Sequence, residues 1–126
     1  MQTALLCIDD DPEDLDLFCE AVNTVDPDIV CYTADGGRKG ITQLNGMVEL
    51  PSFIFLDLQM HEMDGLATLR EIRNNPRYAD IDVVIFSAVS NPSDFEKCRR
   101  LGVKNFLIKE SNFKLLCSGL RDILNR

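Results

Sequence analysis

Four strand-length runs each end in a residue that could do chemistry. "ALLCI" runs into Asp9, Asp10 and Asp11, "SFIFL" into Asp57, "VVIF" into Ser87, and "NFLI" into Lys109. Adjacent carboxylates repel, and a carboxylate drawn out of water needs a cation, a donor or a helix end to compensate it. Two or three of them around an open face offer the hard oxygen ligands that suit Mg²⁺, which binds through one or two carboxylates, several waters and a phosphate. A hydroxyl from Ser87 and an ammonium from Lys109 could then take the remaining phosphoryl oxygens, with Asp57 as the nucleophile that becomes an acyl phosphate.

Singly, each residue has a plainer reading. Asp11 is followed by Pro12, Glu13 and Asp14: an N-cap, a proline in the first helical position, and acids facing the positive helix end. That accounts for Asp11 and leaves Asp9 and Asp10 unexplained. Asp57 alone fits a turn residue, Ser87 a strand-end hydroxyl bonded to local backbone, and Lys109 a solvated charge. What decides between the readings is whether the fold sets these strand ends side by side.

Apolar runs alternate with helical patterns along the chain, the signature of an α/β domain with a parallel sheet. The spacing predicts strands at Ala4–Ile8, Ile29–Tyr32, Phe53–Leu56, Val83–Phe86 and Asn105–Ile108. The first, third and fourth are continuous apolar runs, as central strands covered on both faces should be. Leu15, Phe18, Val22 and Val25 mark one face of a first helix, and Phe113, Leu116, Cys117, Leu120, Ile123 and Leu124 mark one of a last helix. Shorter helices are expected over Arg38–Leu44, Leu66–Arg73 and Ser93–Leu101, the last opened by Asn91-Pro92 and closed by Gly102. Five βα units suit the flavodoxin-like doubly wound (βα)5 sandwich, a five-stranded parallel sheet in the order 2-1-3-4-5. Ligands then bind beyond the carboxyl ends of the strands, where Asp9, Asp10, Asp57, Ser87 and Lys109 all stand.

The chain has 126 residues, 45% of them hydrophobic, the makeup of one globular domain, and the expectation is a single domain over 1–126 with no output domain. A net charge of −8 gives no basic footprint for nucleic acid or anionic membrane and points to small cations and basic partner surfaces. Neither a signal peptide nor a membrane span is evident. The five cysteines (Cys7, Cys19, Cys31, Cys98 and Cys117) lack metal or redox spacing. Each falls at an apolar position, which predicts buried small hydrophobes in a reduced, cytoplasmic protein.

Across nearly its whole length the chain resembles the receiver domain of bacterial two-component response regulators, particularly the stand-alone kind. "IDDDP", "FLDLQMHEMDG", "VVIFSA" and "FLIK" carry the resemblance as an ordered set, with Asp9-Asp10 matching the acidic pair. The resemblance implies that Asp57 accepts a phosphoryl group from a sensor histidine kinase or a histidine phosphotransfer protein. Asp10 and Asp57 would ligate Mg²⁺, Asp9 would act mainly through water, and the Gln59 carbonyl would complete the set. Phosphate would draw Ser87 inward and let Phe106 move into the space vacated, altering the surface of the fourth helix, fifth strand and fifth helix where a downstream protein docks. Gln59 and Val89 flank the site and would set the lifetime of the phosphoryl group.

Two residues depart from the family pattern. Glu110 stands where a cis proline usually follows the lysine, and a cis bond without proline costs about 2.5–4 kcal/mol, so a trans bond is expected. His61 stands where proline is more usual, and a lone loop histidine is expected to be exposed and inert. These departures favour a rival reading, a receiver-like module that binds partners without phosphorylation. A second rival, an aspartate-nucleophile phosphatase using Asp9 and Asp11, lacks a lid to enclose substrate.

Overall fold

The computed structural model describes residues 3–88 and 91–126; Val89 lies outside them. Five strands, β1 (Ala4–Ile8), β2 (Val30–Ala34), β3 (Phe53–Leu56), β4 (Asp82–Ser87) and β5 (Asn105–Ile108), form one parallel sheet in the order β2-β1-β3-β4-β5. The helices are α1 (Pro12–Val25), α2 (Gly37–Gly46), α3 (Gly65–Asn74), α4 (Pro92–Arg100) and α5 (Phe113–Leu124). The expected fold class and strand order are therefore those observed, with the three continuous apolar runs in the middle of the sheet.

Successive side chains on a strand point to opposite faces, which sorts the apolar runs into two cores. Leu6, Ile8, Ile54, Leu56, Val83 and Ile85 pack under α2, α3 and α4 with Ile41, Leu44, Leu69, Ile72 and Cys98. On the other face, Leu5, Cys7, Phe55, Val84, Phe86 and Leu107 meet Phe18 and Val22 of α1 and Leu116, Leu120 and Leu124 of α5. The Phe18 ring sits 4.9 Å from Phe55 and 5.3 Å from Phe86. This contact fixes α1 over the strands whose ends carry Asp57 and Ser87.

The bounds of β4, α2, α3 and α4 shift by one or two residues from expectation, and three further differences have an evident cause. β2 starts and ends later than Ile29–Tyr32, because Ile29 donates its N–H into a turn to the Asp26 carbonyl, while Thr33 and Ala34 still pair with Cys7 and Ile8. Edge pairing needs backbone groups and not apolar side chains, so the polar Thr33 did not end it. A 3₁₀ turn at Pro76–Tyr78, capped by Asn75 accepting the Arg77 N–H, buries Tyr78. The third difference concerns the cysteines. Cys7, Cys98 and Cys117 are buried as expected, but Cys19 of α1 and Cys31 of β2 are half-buried, with Sγ atoms 2.8 Å apart.

The loop from β3 to α3 is held by a close approach. Gly65 donates its N–H to the Leu58 carbonyl at 3.0 Å, and a Cβ at Gly65 would overlap the Asp57 carbonyl oxygen and the Leu58 Cα. Both obstacles are backbone and cannot swing aside. Gly65→Ala is therefore expected to destabilise the protein by about 1–3 kcal/mol, as overpacking does, and to displace Asp57; urea unfolding measures the first effect and phosphoryl labelling the second.

Candidate functional site

The sequence puts an acid or a cation directly after β1, β3 and β5 and a serine at the end of β4, and a parallel sheet sends all those ends to one edge. Among the described residues, Asp9, Asp10, Asp57 and Lys109 line one open cleft of about 330 Å³, together with Asp14, Gln59, His61 and Ala88. Ser87 is brought to the same edge but is 2% exposed at the end of β4, and its neighbour Ala88 faces the cleft instead. Lys109 follows β5 by donating its N–H to the Ser87 carbonyl at 2.9 Å. Its peptide bond to Glu110 is trans, as expected.

The Lys109 ammonium sits among three carboxylates: 2.6 Å from Asp9 Oδ2, 2.8 Å from Asp14 Oδ2 and 3.1 Å from Asp57 Oδ2. Burial alone would lower its pKa, but hydrogen bonds to Asp14 and Asp9 and the charge of Asp57 raise it instead, so the lysine is a fixed cation. Asp9 is 1% exposed. Its Oδ1 accepts the Asp11 N–H at 3.0 Å, and Oδ2 is engaged by the Lys109 ammonium alone. Burial pushes the Asp9 carboxyl above the usual range, opposed by Lys109 and the Asp11 N–H. Asp57 is nearly as buried, and its Oδ1 accepts the Gln59 N–H at 3.2 Å.

Asp14 is the functional neighbour that the sequence reading assigned only to the first turn of α1. Its role at the site is set by where α1 docks, and first-turn acids are too common to signal it. Asp11 does cap α1, accepting the Glu13 N–H at 3.0 Å. This is the capping role expected of Asp11.

His61 corrects an expectation. Its side chain is 95% exposed, yet it is not idle: its backbone N–H and its ring Nδ1 meet Asp10 Oδ2 at 2.8 and 2.7 Å. The hydrogen bonds from His61 hold the Asp10 carboxyl below its usual range and raise the His61 imidazole in return. Phe106 lies away from the cleft, against α4, its ring 4.5 Å from Phe95 and covered by the Arg99 guanidinium at 5.0 Å.

Three carboxylates thus share one ammonium, and a fourth, Asp10, leans on His61. Oxygens of Asp9, Asp10 and Asp57 lie within 4.8 Å of one another, all of them hard donors, with Asp9 and Asp57 buried. The donor set fits a small divalent cation.

The response regulator receiver domain profile matches residues 5–121, and the chain belongs to that family. It is 31% identical over 111 residues to the probable C4-dicarboxylate response regulator DctR of Bacillus subtilis, covering 88% of this chain and 46% of that protein. It is 29% identical over 124 residues to response regulator Rcp1 of Synechocystis sp., covering 94% of this chain and 84% of Rcp1. The fold superposes on the phosphorylated cyanobacterial phytochrome response regulator RcpA with a TM-score of 0.87 at 24% identity, covering 98% and 91% of the two chains. The Mn²⁺-bound form of response regulator Rcp1 gives a TM-score of 0.83 at 27% identity, covering 96% and 91%. No helix among the described residues is long and apolar enough to cross a membrane.

Proposed function

We propose that the protein is a phosphoacceptor switch of a two-component or phosphorelay system, carrying the phosphoryl group on Asp57. The observation that supports this best is a buried carboxylate at the end of a central strand, paired with a lysine on one side and open to the Asp9 and Asp10 oxygens on the other. Asp57 would attack the phosphorus of a phosphohistidine on a sensor kinase or histidine phosphotransfer protein. The O–P bond forms as the P–N bond breaks, and the electron pair stays on the imidazole nitrogen. Lys109 would pair with a phosphoryl oxygen as charge builds there. Asp9, Asp10, Asp57 and the Gln59 carbonyl would hold Mg²⁺, which when bound supplies the positive charge that the carboxylates and phosphate share.

Ser87 would then bond the phosphoryl group from beneath, and Phe106 would answer by leaving its contacts with Phe95 and Arg99. The surface of α4, β5 and α5, with Ile108 and Leu115 exposed, would carry the signal to another protein. Incubation with acetyl phosphate and Mg²⁺ tests the reading. Intact mass should rise by one phosphoryl group, mapped to Asp57, and absence of any adduct under conditions that label a control receiver would overturn it.

One observation favours the phosphorylation-independent module: His61 holds Asp10 Oδ2 with two donors, so a cation must compete for that oxygen. Mg²⁺ titration separates the readings, because a switch binds the ion saturably and a degenerate module does not. Asp10→Asn is expected to weaken Mg²⁺ on the order of 10–100-fold, comparable to the loss of a close metal-site partner. Asp11→Asn, which changes only a capping residue, should leave the affinity within about twofold, because asparagine caps as well as aspartate.

A further inference from the structure

Cys19 and Cys31 come from α1 and β2, on the face of the sheet that α1 and α5 cover. Their Sγ atoms are 2.8 Å apart, closer than unbonded sulfurs ordinarily come and longer than the about 2.05 Å of a disulfide. Both are half-buried while the other cysteines are buried, so this is the pair a small oxidant reaches. We propose that Cys19 and Cys31 form a redox-sensitive pair that closes to an intramolecular disulfide on exposure to a hydroperoxide.

The hydrogen bond from Cys31 holds the Cys19 thiol below its usual range, against burial and the nearby charge of Asp16, and the same bond pushes Cys31 up. Cys19 is therefore the nucleophile, since the thiolate is the reactive form. Its sulfur attacks one peroxide oxygen, the O–O bond breaks, and the distal oxygen leaves as water. Cys19 is then a sulfenic acid. The Cys31 sulfur attacks it, an S–S bond forms, and the sulfenic oxygen leaves with the thiol proton as a second water. The two sulfurs give up two electrons and hydrogen peroxide takes them. A dithiol reductant reverses the bond by exchange.

The bridge would tie the middle of α1 to the edge strand β2. That helix begins beside the acidic cleft and places Asp14 on Lys109, so the oxidised form braces the element from which Asp14 projects. Closing the loop between residues 19 and 31 also restricts the unfolded chain, which predicts a higher melting temperature for the oxidised protein.

The test is brief treatment of the reduced full-length chain with hydrogen peroxide, then alkylation in denaturant, intact mass and peptide mapping. Cys7, Cys98 and Cys117 should be alkylated, with Cys19 and Cys31 recovered as one linked peptide pair in a monomer. Dithiothreitol should restore all five alkylations. The oxidised protein should melt higher, and that shift should vanish in Cys31→Ser, where Cys19 instead accumulates as a sulfenic acid trapped by dimedone. Alkylation of every cysteine after peroxide, a bridge between another pair, a disulfide-linked dimer, or the same loss of reactive thiols in Cys31→Ser would each overturn the proposal. Cys19→Ala supplies a second check, in which Cys31 must stay alkylatable.

Discussion

Asp57→Asn is expected to take no phosphoryl group at all from acetyl phosphate with Mg²⁺, while the protein stays folded. The amide matches the carboxylate in size, so the β3 end and its contact with Gly65 are kept. What it lacks is the anionic oxygen that attacks phosphorus in the proposed reaction. The second consequence separates chemistry from folding. Asp57 adds to the crowd of like charges around one ammonium, so replacing it relieves repulsion in the absence of metal. Without Mg²⁺ the variant should be no less stable to urea than the wild type, and with Mg²⁺ it should gain less, having lost one oxygen ligand. An adduct of undiminished yield in the variant would remove Asp57 from the role proposed for it.

The parts of this site legible in the sequence are those whose position follows from strand direction alone. Asp9, Asp10, Asp57 and Lys109 each follow an apolar run, and parallel strands must deliver them to one edge. The same logic named Ser87 but could not say that its side chain would be buried with Ala88 at the cleft, because that depends on how β4 ends. Contacts between separate elements were hidden for a different reason. Asp14 reaches Lys109 only because Phe18 docks α1 between Phe55 and Phe86. His61 reaches Asp10 across 51 residues of chain because the loop after Asp57 folds back. The Cys19–Cys31 contact spans a helix and a strand, so no local motif announces it. Helix starts were the opposite case. Asp11 and Asn91, read as caps, do cap α1 and α4 through their own side chains, which is local chemistry and readable from local sequence.

Lys109→Met carries the largest expected cost in stability. Methionine retains most of the aliphatic reach over the Phe86 ring, where the ammonium sits 5.6 Å from the centroid, but removes the charge that three carboxylates share. Asp9 is then left buried with the Asp11 N–H as its remaining hydrogen-bond donor. Removing one partner of a buried ion pair typically costs about 3–5 kcal/mol, and urea unfolding at neutral pH in a chelator should show a loss of that order. The pH dependence follows from Asp9. Burial already raises its carboxyl, and losing Lys109 removes the main opposing influence, so the folded value climbs further. An acid raised in the folded state gives its full stability below the unfolded value of about 3.9 and loses it as pH rises through the folded value. The deficit should therefore shrink on mild acidification. In the wild type Lys109, itself raised, keeps its contribution until strongly alkaline pH. A divalent cation should also narrow the gap, because it replaces the missing charge. Ligand linkage gives about 2.7 kcal/mol at a concentration one hundred times the dissociation constant. Equal stability of variant and wild type at neutral pH without metal would show that Lys109 is not the counter-ion that holds this cleft together.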